Sequence, residues 1–483
     1  MEPLSQTQSI DDDYLSELPT EVLVSILEKL DLCDAVRAGA LSRRWRRLPH
    51  QLPRLDLDVT EFLRDDDECY EEEDDDEGGD EEREAPADGP RDGLAGASDR
   101  MLEVATALLA SRAAAGVPLN ALAMRFVVSC RTNHHMSLGR LLDGAVASGE
   151  VRAAELSITT TSIQALAGHG RRFRALFDGC PAAFGALTQL SMEDMRLGRA
   201  DLPAILTTCT RLEMLSLTNC DPGGGRWCVR HAQLRDIRIA FCTFHGVELA
   251  WLPKLERCSC KRWASRSHQP LAFGHVPCLT TVAMSNNHHV DAKTLRLSQT
   301  LANTAVSDIG LNFWGESIWV KPEAPKRFID MFRNLKHLKI RNVDEDCGLS
   351  WTYFLLQAAP VLKELYIKLW DHKCEREPKH FLAKKSNVSW EVAAGFKHYS
   401  LTKLTIIGLY NTRDGVVAYI HRVMEAAVNL KEIQIRENAP CKECGVASGM
   451  WFPQTAKEKK ELREKISRGG SVAVNIVTLS ASS

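Results

Sequence analysis

One short pattern of apolar positions recurs along most of this chain: an apolar residue, two others, an apolar residue, one other, and an apolar residue. Leu187–Met192 and Leu335–Ile340 are clear examples. The alternation puts the last two apolar side chains of each copy on the same face of a short strand, pointing into a core. Strong copies begin at Leu187, Leu212, Leu234, Leu279, Leu335, Leu362, Leu401 and Leu430, and weaker copies at Leu52, Leu119, Ala153, Leu255 and Val306.

The spacing of the copies indicates a repeat architecture. Between Leu187 and Leu362 successive copies lie about 21 to 29 residues apart, near the range of leucine-rich repeats. No single repeat can bury its own apolar face, so we expect stacked copies to form an α/β solenoid. Its parallel strands would line the concave side, and helices or turns would lie on the convex side. Helix-like segments fall between copies at 202–206, 325–332, 352–359 and 416–427. An ordinary α/β domain is the alternative.

Near the N-terminus the apolar residues follow a helical period instead. Pro19 can occupy the first turn of a helix, where its missing N–H is not needed. Asp31 and Leu32 then break the pattern. One apolar stripe along this first helix would consist of Val22, Leu23, Ile26, Leu27 and Leu30.

Two more short helices are predicted after this break. Val36, Ala40 and Leu41 supply an apolar face to the second, and Ser42 is a candidate N-cap for a basic third helix that carries Trp45 and Leu48. A unit of about 40 residues buries too little surface to be robust alone. Its excess apolar side chains would therefore pack on the rest of the chain or dock on another protein, and composition leaves both possibilities open.

Leu18-Pro19 at the start and Ser42-Arg43-Arg44-Trp45 at the end resemble the F-box, the adaptor-binding module of cullin-based ubiquitin ligases. The whole chain resembles the large plant F-box/leucine-rich-repeat family. This resemblance implies a non-catalytic substrate receptor in ubiquitin-dependent degradation, without cofactor, that binds a Skp-family adaptor and, through it, a cullin. The positions that match adaptor-binding ones are Leu18, Pro19, Val22, Leu23, Ile26, Leu27, Leu30, Leu41 and Trp45.

These patterns predict six parts of the chain. They are a disordered N-terminus (1–13), the F-box (14–50), a first repeat strand (51–64), an acidic disordered insertion (65–98), the leucine-rich-repeat solenoid (99–436) and a C-terminal capping segment (437–483). In the capping segment we expect an exposed helix over 455–467 and a closing strand over 472–479, because terminal repeats need a cover.

The net charge of −4 conceals two opposite parts. Arg64–Glu84 holds fifteen Asp or Glu and two Arg, and removing these from the 64 acidic and 60 basic residues leaves a body of +9. The acidic run cannot fold by burying apolar area, so it is predicted to be a solvated insertion. A less favoured hypothesis is that it competes with the substrate for a basic surface of the same protein.

Cysteine content and hydropathy set expectations for the compartment. The chain has fifteen cysteines, a polar and acidic start instead of a secretion signal, and no apolar run long enough to cross a bilayer. We therefore expect a cytoplasmic or nuclear protein with reduced thiols and no membrane association.

On the predicted concave wall, the residues that alternate with buried ones face outward, and basic groups outnumber acidic ones. Such a wall favours a target protein that is acidic or phosphorylated. Ordinary surface residues are the alternative, and no nucleic-acid-binding signature accompanies them. The outward set comprises Asp236, Arg238, Arg257, Lys261, His337, Lys339, Arg341, Glu364, Tyr366, Lys368, Lys403, Glu432, Gln434 and Arg436. The candidate substrate-binding subset is Arg238, Lys261, His337, Lys339, Arg341, Tyr366, Lys368, Lys403 and Arg436.

Other possible sites receive weaker support. Cys441 and Cys444 have the spacing of half a zinc site, but distant ligands such as Cys258, Cys260, Cys228 or His231 would have to complete it, so no metal is predicted. The pairs His134-His135 and His288-His289 are predicted to be solvent-exposed, and the glycines of 221–225 to form a turn. No nucleophile, kinase or dinucleotide motif is present in the sequence. Two other functions stay open: an adaptor-binding scaffold outside the ligase, and a small-molecule-sensing receptor.

Overall fold

The chain divides into two compact units, Met1–Arg196 with Thr208–Leu212, and Leu197–Thr207 with Glu213–Ser483. Each is described by itself. The computed structural model describes residues 18–63, 91–129, 132–160, 166–223, 225–263, 270–286, 294–314, 318–344, 347–370, 389–409, 414–440, 452–468 and 474–480.

The first unit begins with two short α-helices, α1 (Thr20–Leu27) and α2 (Leu32–Ala38). Asp31 caps α2, since its carboxylate accepts the backbone N–H of Asp34 at 2.7 Å. The predicted third helix is instead two 3₁₀ turns, Trp45–Arg47 and Pro49–Gln51. Pro49 explains this difference, because a proline inside an α-helix removes a hydrogen bond and clashes with the preceding turn.

Four parallel strands follow in the first unit and pair in chain order. Three phenylalanines, Phe173, Phe177 and Phe184, form an aromatic cluster with ring centroids 5.0–6.4 Å apart in its helical layer. The strands are β1 (Arg54–Asp58), β2 (Ala121–Val128), β3 (Ala154–Thr160) and β4 (Leu187–Glu193). The helices are α3 (Arg91–Ala115), α4 (His134–Ala147), α5 (Leu166–Gly179) and α6 (Pro181–Gly185).

The long helix α3 corrects one predicted boundary. The acidic disordered insertion was expected to extend to residue 98, yet α3 begins at Arg91. Its buried face includes Ala97, Met101 and Ala105, so this part of the chain can bury apolar surface. Residues 64–90, which hold the acidic run, lie outside the described part of the chain.

The second unit contains a stack of ten parallel strands in which each pairs with the next of the set. Inward residues such as Ile340 and Leu365 are buried. These strands are β5 (Met214–Thr218), β7 (Asp236–Ala240), β9 (Arg257–Trp263), β11 (Thr281–Asn286), β12 (Asp308–Asn312), β13 (His337–Val343), β14 (Glu364–Leu369), β15 (Lys403–Ile407), β16 (Glu432–Arg436) and β17 (Asn475–Leu479).

Three further strands, β6 (Arg226–Arg230), β8 (Gly246–Trp251) and β10 (Leu271–His275), form a second parallel sheet. The apolar pattern did not predict them, because none begins with the leading leucine of the repeat. Their inward residues, among them Trp227 and Leu249, are buried.

The later helices are short. Most confirm the predicted helical segments, but over 325–332 only Pro325–Phe328 is helical, as a 3₁₀ turn. The α-helices are α7 (Asp201–Thr208), α8 (Leu297–Thr300), α9 (Tyr353–Ala358), α10 (Asp414–Ala426) and α11 (Ala456–Ser467). None of the helices in the described ranges is both long and apolar enough to span a bilayer.

All thirteen copies of the apolar pattern coincide with strands β1–β5, β7, β9 and β11–β16. The C-terminal helix and strand are also confirmed: Thr455 and Glu458 form a capping box at the start of α11, and β17 pairs with β16. The predicted α/β fold, a small helical module followed by leucine-rich repeats with parallel strands, is therefore the observed one.

Candidate functional site

Helix α1 has one buried and one exposed apolar face. Leu23 and Leu27 are fully buried, whereas Val22 and Ile26 are 42% and 37% exposed, and Leu30 beyond the helix is 43% exposed. Val22 and Ile26 are four residues apart, so they form one stripe on the helix, and Leu30 lies three residues beyond its end. This stripe is apolar surface that the described residues leave open to solvent.

Further apolar residues are exposed after α1. Val36 is 49% and Leu41 73% exposed, and Pro19 is also exposed. The Arg44 guanidinium donates to the carbonyl oxygen of Leu18 at 2.5 Å, which ties the start of the module to its end. The Ser42 hydroxyl accepts the Trp45 N–H at 3.3 Å, but the N-cap of the first 3₁₀ turn is Arg44 and not Ser42 as expected. We call Val22, Ile26, Leu30, Val36 and Leu41 the open apolar face.

The predicted adaptor-binding set therefore divides. Leu23, Leu27 and Trp45 were expected to meet an adaptor, but they are buried inside the chain. Their burial differs from this expectation, because these three side chains present almost no accessible surface to a partner. Val36 belongs to the open apolar face although the predicted adaptor-binding set did not include it, and its place on the second helix had been predicted.

The outward face of the ten-strand stack is arranged in three rows. Paired strands keep the same register through the first two rows, and register shifts between β9 and β11 and between β13 and β14 interrupt the third. The first row is at the start of the strands and includes Asp236, Arg257, Thr281, Asp308, His337, Glu364, Lys403 and Glu432. The second row includes Arg238, Ser259, Ala283, Gly310, Lys339, Tyr366, Thr405 and Gln434. The third row includes Ala240, Lys261, Ser285, Asn312, Arg341, Lys368, Ile407 and Arg436.

Charged residues of the first row pair with one another. The His337 Nδ1 atom lies 2.8 Å from Asp308 Oδ1, and Lys403 Nζ lies 3.6 Å from Glu432 Oε2. His337 and Lys403 were predicted to bind substrate, and both already have a carboxylate partner. Burial of Asp236 also differs from the outward position predicted for it, since this residue is only 4% exposed beneath two arginines.

The second and third rows carry no carboxylate at the positions named above, and their charged side chains are all cationic. Arg238 is 56% exposed, and Lys261, Lys339, Arg341 and Arg436 are exposed as well. Acidic groups of the face are thus confined to the start of the strands. The carboxyl-terminal half of the strands therefore presents a positively charged surface.

Tyr366 is the one aromatic residue among the predicted substrate-binding positions. The Arg341 guanidinium carbon lies 5.9 Å from the centroid of its ring, within the range of a cation–π contact. Burial raises the pKa of the Tyr366 hydroxyl, and the charges of Arg341 and Arg436 oppose this shift. Gln434, which was expected to face outward, is buried, and its side-chain oxygen accepts from Arg436 at 2.8 Å.

Cysteine and histidine positions give no metal site among the described residues. Burial raises the pKa of the Cys258 thiol to about 12, which disfavours the thiolate that a metal would need. Cys441 and Cys444 lie outside the described residues, as do His288 and His289. His135 was expected to be exposed, but it lies in the first turn of α4 and is 1% exposed.

Comparisons with known proteins support both parts of the chain. The F-box-like family model matches residues 15–52. The model described as the leucine-rich repeats of the FBD-associated F-box protein At5g56370 matches residues 148–367. The predicted resemblance to plant F-box/leucine-rich-repeat proteins is therefore confirmed.

Individual relatives are similar over short segments only. The F-box/FBD/LRR-repeat protein At5g44980 of Arabidopsis thaliana is 42% identical over 59 residues, 12% of this chain and 14% of that protein. F-box/LRR-repeat protein 13 of the same plant is 46% identical over 50 residues, 10% of this chain and 11% of that protein. The chain thus spans between 11% and 14% of the length of these curated relatives.

Proposed function

We propose that this chain, which joins an F-box-like module to leucine-rich repeats, is the substrate-recognition subunit of a Skp–cullin–F-box ubiquitin ligase. Its open apolar face would bind a Skp-family adaptor, and its basic strand face would bind a target protein. It would carry no catalytic residue and no cofactor. Its proposed location is the cytoplasm, the nucleus or both, in keeping with the fifteen cysteines, for which reduced thiols are expected.

The single observation that carries the proposal is the exposure of Val22, Ile26 and Leu30 beside the buried Leu23 and Leu27. A helix needs only one apolar face to pack on its own chain. The second face is surface that a partner can cover, and burying a large aliphatic side chain contributes about 1.5–3 kcal/mol when it is fully exposed beforehand. The F-box-like match identifies the class of partner that we propose.

The second surface suits an anionic target. Arg238, Lys339 and Arg341 lie in rows without carboxylates, so an acidic or phosphorylated segment would meet complementary charge there. Arginine in particular can form two parallel hydrogen bonds to one carboxylate or phosphate. The proposed target is therefore an acidic or phosphorylated protein; neither a nucleic acid nor a membrane is proposed.

The proposed contribution to ubiquitin transfer is proximity. A receptor that holds the adaptor on its N-terminal helices and the target on its repeats raises the local concentration of target lysines near the transfer centre. The chain itself forms no covalent bond to ubiquitin in this scheme.

Affinity purification of the full chain and its Ile26→Asp variant from plant cells tests the proposal. The charged side chain at position 26 would have to be desolvated in the adaptor interface, so the adaptor and the cullin should be lost together. Target proteins should be retained. Ile329→Asp is the matched control, because Ile329 is 65% exposed and lies outside the open apolar face.

Three results separate the alternatives. Loss of both adaptor and cullin in Ile26→Asp alone supports the ligase subunit. An adaptor without any cullin in the unmutated sample favours a scaffold outside the ligase. No Skp-type protein in either sample contradicts the proposal.

A further inference from the structure

Several repeats of the second unit end in a left-handed backbone turn. The residue two positions after the last inward side chain of a strand has a positive φ of 48° at Asn219, 54° at Asn342 and 80° at Gly408. Asparagine and glycine tolerate this conformation better than other residues. The turn is therefore a property of the repeat, and these three positions hold residues suited to it.

Two other repeats place bulky residues at the same position. Phe241 follows β7 with φ 58°, and Arg262 near the end of β9 has φ 47°. Trp314 after β12, one residue further along its repeat, has φ 53°. A bulky side chain in this region is strained, and such strain is concentrated at functional sites. Since asparagine or glycine meets the needs of the turn, the backbone does not account for these three side chains.

The three side chains come together. The guanidinium carbon of Arg262 lies 5.4 Å from the ring centroid of Phe241 and 4.3 Å from that of Trp314. The Arg262 backbone N–H donates to the hydroxyl of the buried Ser285 at 3.0 Å, which holds the turn in place. Phe241 remains 44% exposed despite its apolar ring. Exposed aromatic and arginine side chains are the types enriched at the centres of protein interfaces.

A row of small residues lies on the strands β9, β11 and β12, of which β9 and β12 lead to this cluster. Ser259, Ala283 and Gly310 are register partners on β9, β11 and β12, so the second row has almost no side-chain volume there. Arg238 and Lys339 flank these positions on the neighbouring strands. These positions leave little side-chain volume between Arg238 and Lys339, and we call this stretch of the row the depression.

The charges around the depression identify its occupant. Arg238 and Lys339 are in the second row, Lys261 is in the third row, and Arg262 follows it. Neither row carries a carboxylate at the positions named above. Arg238 already has complementary charge from Asp236, whereas an acidic polypeptide would supply it to Lys261 and Lys339 and a basic or neutral one would not.

We infer that Phe241, Arg262 and Trp314, together with this depression, form the anchor site for an unmodified acidic peptide segment of the target. An apolar side chain of that segment lies against Phe241 over the small residues, and its carboxylates face the surrounding cations. The inference rests on the proposed function in that the segment belongs to a target held for ubiquitin transfer.

A random peptide display library, panned on the full chain with its adaptor bound, tests the inference. Peptides rich in Asp and Glu with an apolar residue should be enriched. The most enriched peptide, synthesised with a fluorophore, is then titrated by anisotropy against the variants Phe241→Asn, Arg262→Asn and Ala283→Tyr. Each should weaken binding about ten-fold or more, the last because it fills the depression.

Two controls separate binding from folding. Arg333→Asn and Tyr399→Asn change an exposed arginine and an exposed tyrosine outside the site, and both should leave peptide binding unchanged. The thermal midpoints of Phe241→Asn and Arg262→Asn should not fall below that of the unmutated chain, because asparagine relieves the left-handed strain.

Enrichment of acidic peptides with an apolar residue, and their loss in the three variants at unchanged thermal midpoint, supports the inference. Enrichment of basic or neutral peptides, no enrichment, or acidic peptides that bind the variants normally overturns it. So does a peptide that binds only after its serine is phosphorylated. If the chain does not bind the adaptor, the same library is panned on the chain alone, and the enriched peptides are interpreted in the same way. The inference and the proposed function can therefore fail separately.

Discussion

The Nε atom of Arg257 lies 3.1 Å from the Oδ2 atom of Asp236, its register partner on the neighbouring strand. The same carboxylate accepts from Arg238 Nη2 at 2.9 Å. Asp236 is nearly inaccessible, whereas the two arginines are 53% and 56% exposed. One buried carboxylate therefore positions two cations at the edge of the basic strand face.

This arrangement predicts the effect of Asp236→Ala. The substitution removes a buried charge that two arginines satisfy, so the free energy of unfolding should fall by about 1–3 kcal/mol in urea denaturation. Asp178→Ala is the control, because its pair with Arg174 is solvent-exposed and should contribute less than about 1 kcal/mol. Equal losses at the two positions would contradict the structural role of Asp236.

Adjacent residues of α1 should respond in opposite ways. Leu27→Ala empties a fully buried position and should lower the free energy of unfolding by about 2–5 kcal/mol. Ile26→Ala should change it by less than about 1 kcal/mol, since Ile26 is partly exposed. Urea unfolding measures both. Similar losses in the free energy of unfolding for the two variants would contradict the prediction, because they would show that both faces of the helix are equally packed.

The sequence predicted the main strands well because their signal is local. Every copy of the pattern places inward residues such as Ile340 on a face that must be buried. The strands β6, β8 and β10 lack the leading leucine, and alternation over only five or six residues is a weak signal. Which segments form these three strands therefore depends on packing against the neighbouring repeats.

The sites were less predictable than the fold. Residues 22, 23, 26 and 27 are all apolar, so composition could not tell which pair the rest of the chain covers. The contacts of Arg262 with Phe241 and Trp314 depend on left-handed backbone turns, which the pattern of apolar residues does not predict. The side-chain periodicity did correctly place Lys339 and Arg341 on the outward face.

The first unit should lose stability in mild acid through His135. Burial, and then the charges of Arg172 and His134, lower the pKa of His135 from 6.5 to about 4. Between these values the unfolded chain binds a proton that the folded chain does not. The stabilisation is therefore complete above pH 6.5 and decreases as the pH falls to about 4, by up to about 3 kcal/mol.

His135→Leu should remove this part of the pH dependence, because leucine does not titrate. Urea unfolding of the chain and the variant at pH 7 and at a pH near 4 measures it, with the exposed His275→Leu as control. Parallel pH profiles for the chain and His135→Leu would show that His135 does not titrate in this way.

Charge on the strand face should control target binding. Reversing Arg341 and Arg436 to glutamate should weaken target binding about ten-fold or more and reduce its dependence on salt, with adaptor binding unchanged. The exposed residues Arg333 and Lys336 precede β13 and provide a control reversal with the same change in net charge. If both double variants lost the same affinity for the target, target binding would depend on net charge alone and not on the strand face.

The central claim is that the open apolar face is an interface for a Skp-family adaptor. Isothermal titration of the purified full chain with a purified plant Skp-family adaptor tests it most directly, with Ile26→Asp and Ile329→Asp titrated alongside. We expect a dissociation constant of about 1 μM or below for the unmutated chain and for Ile329→Asp, and a loss of at least about ten-fold for Ile26→Asp. No heat of binding from the unmutated chain at micromolar concentrations, or equal affinity for Ile26→Asp, would contradict the account.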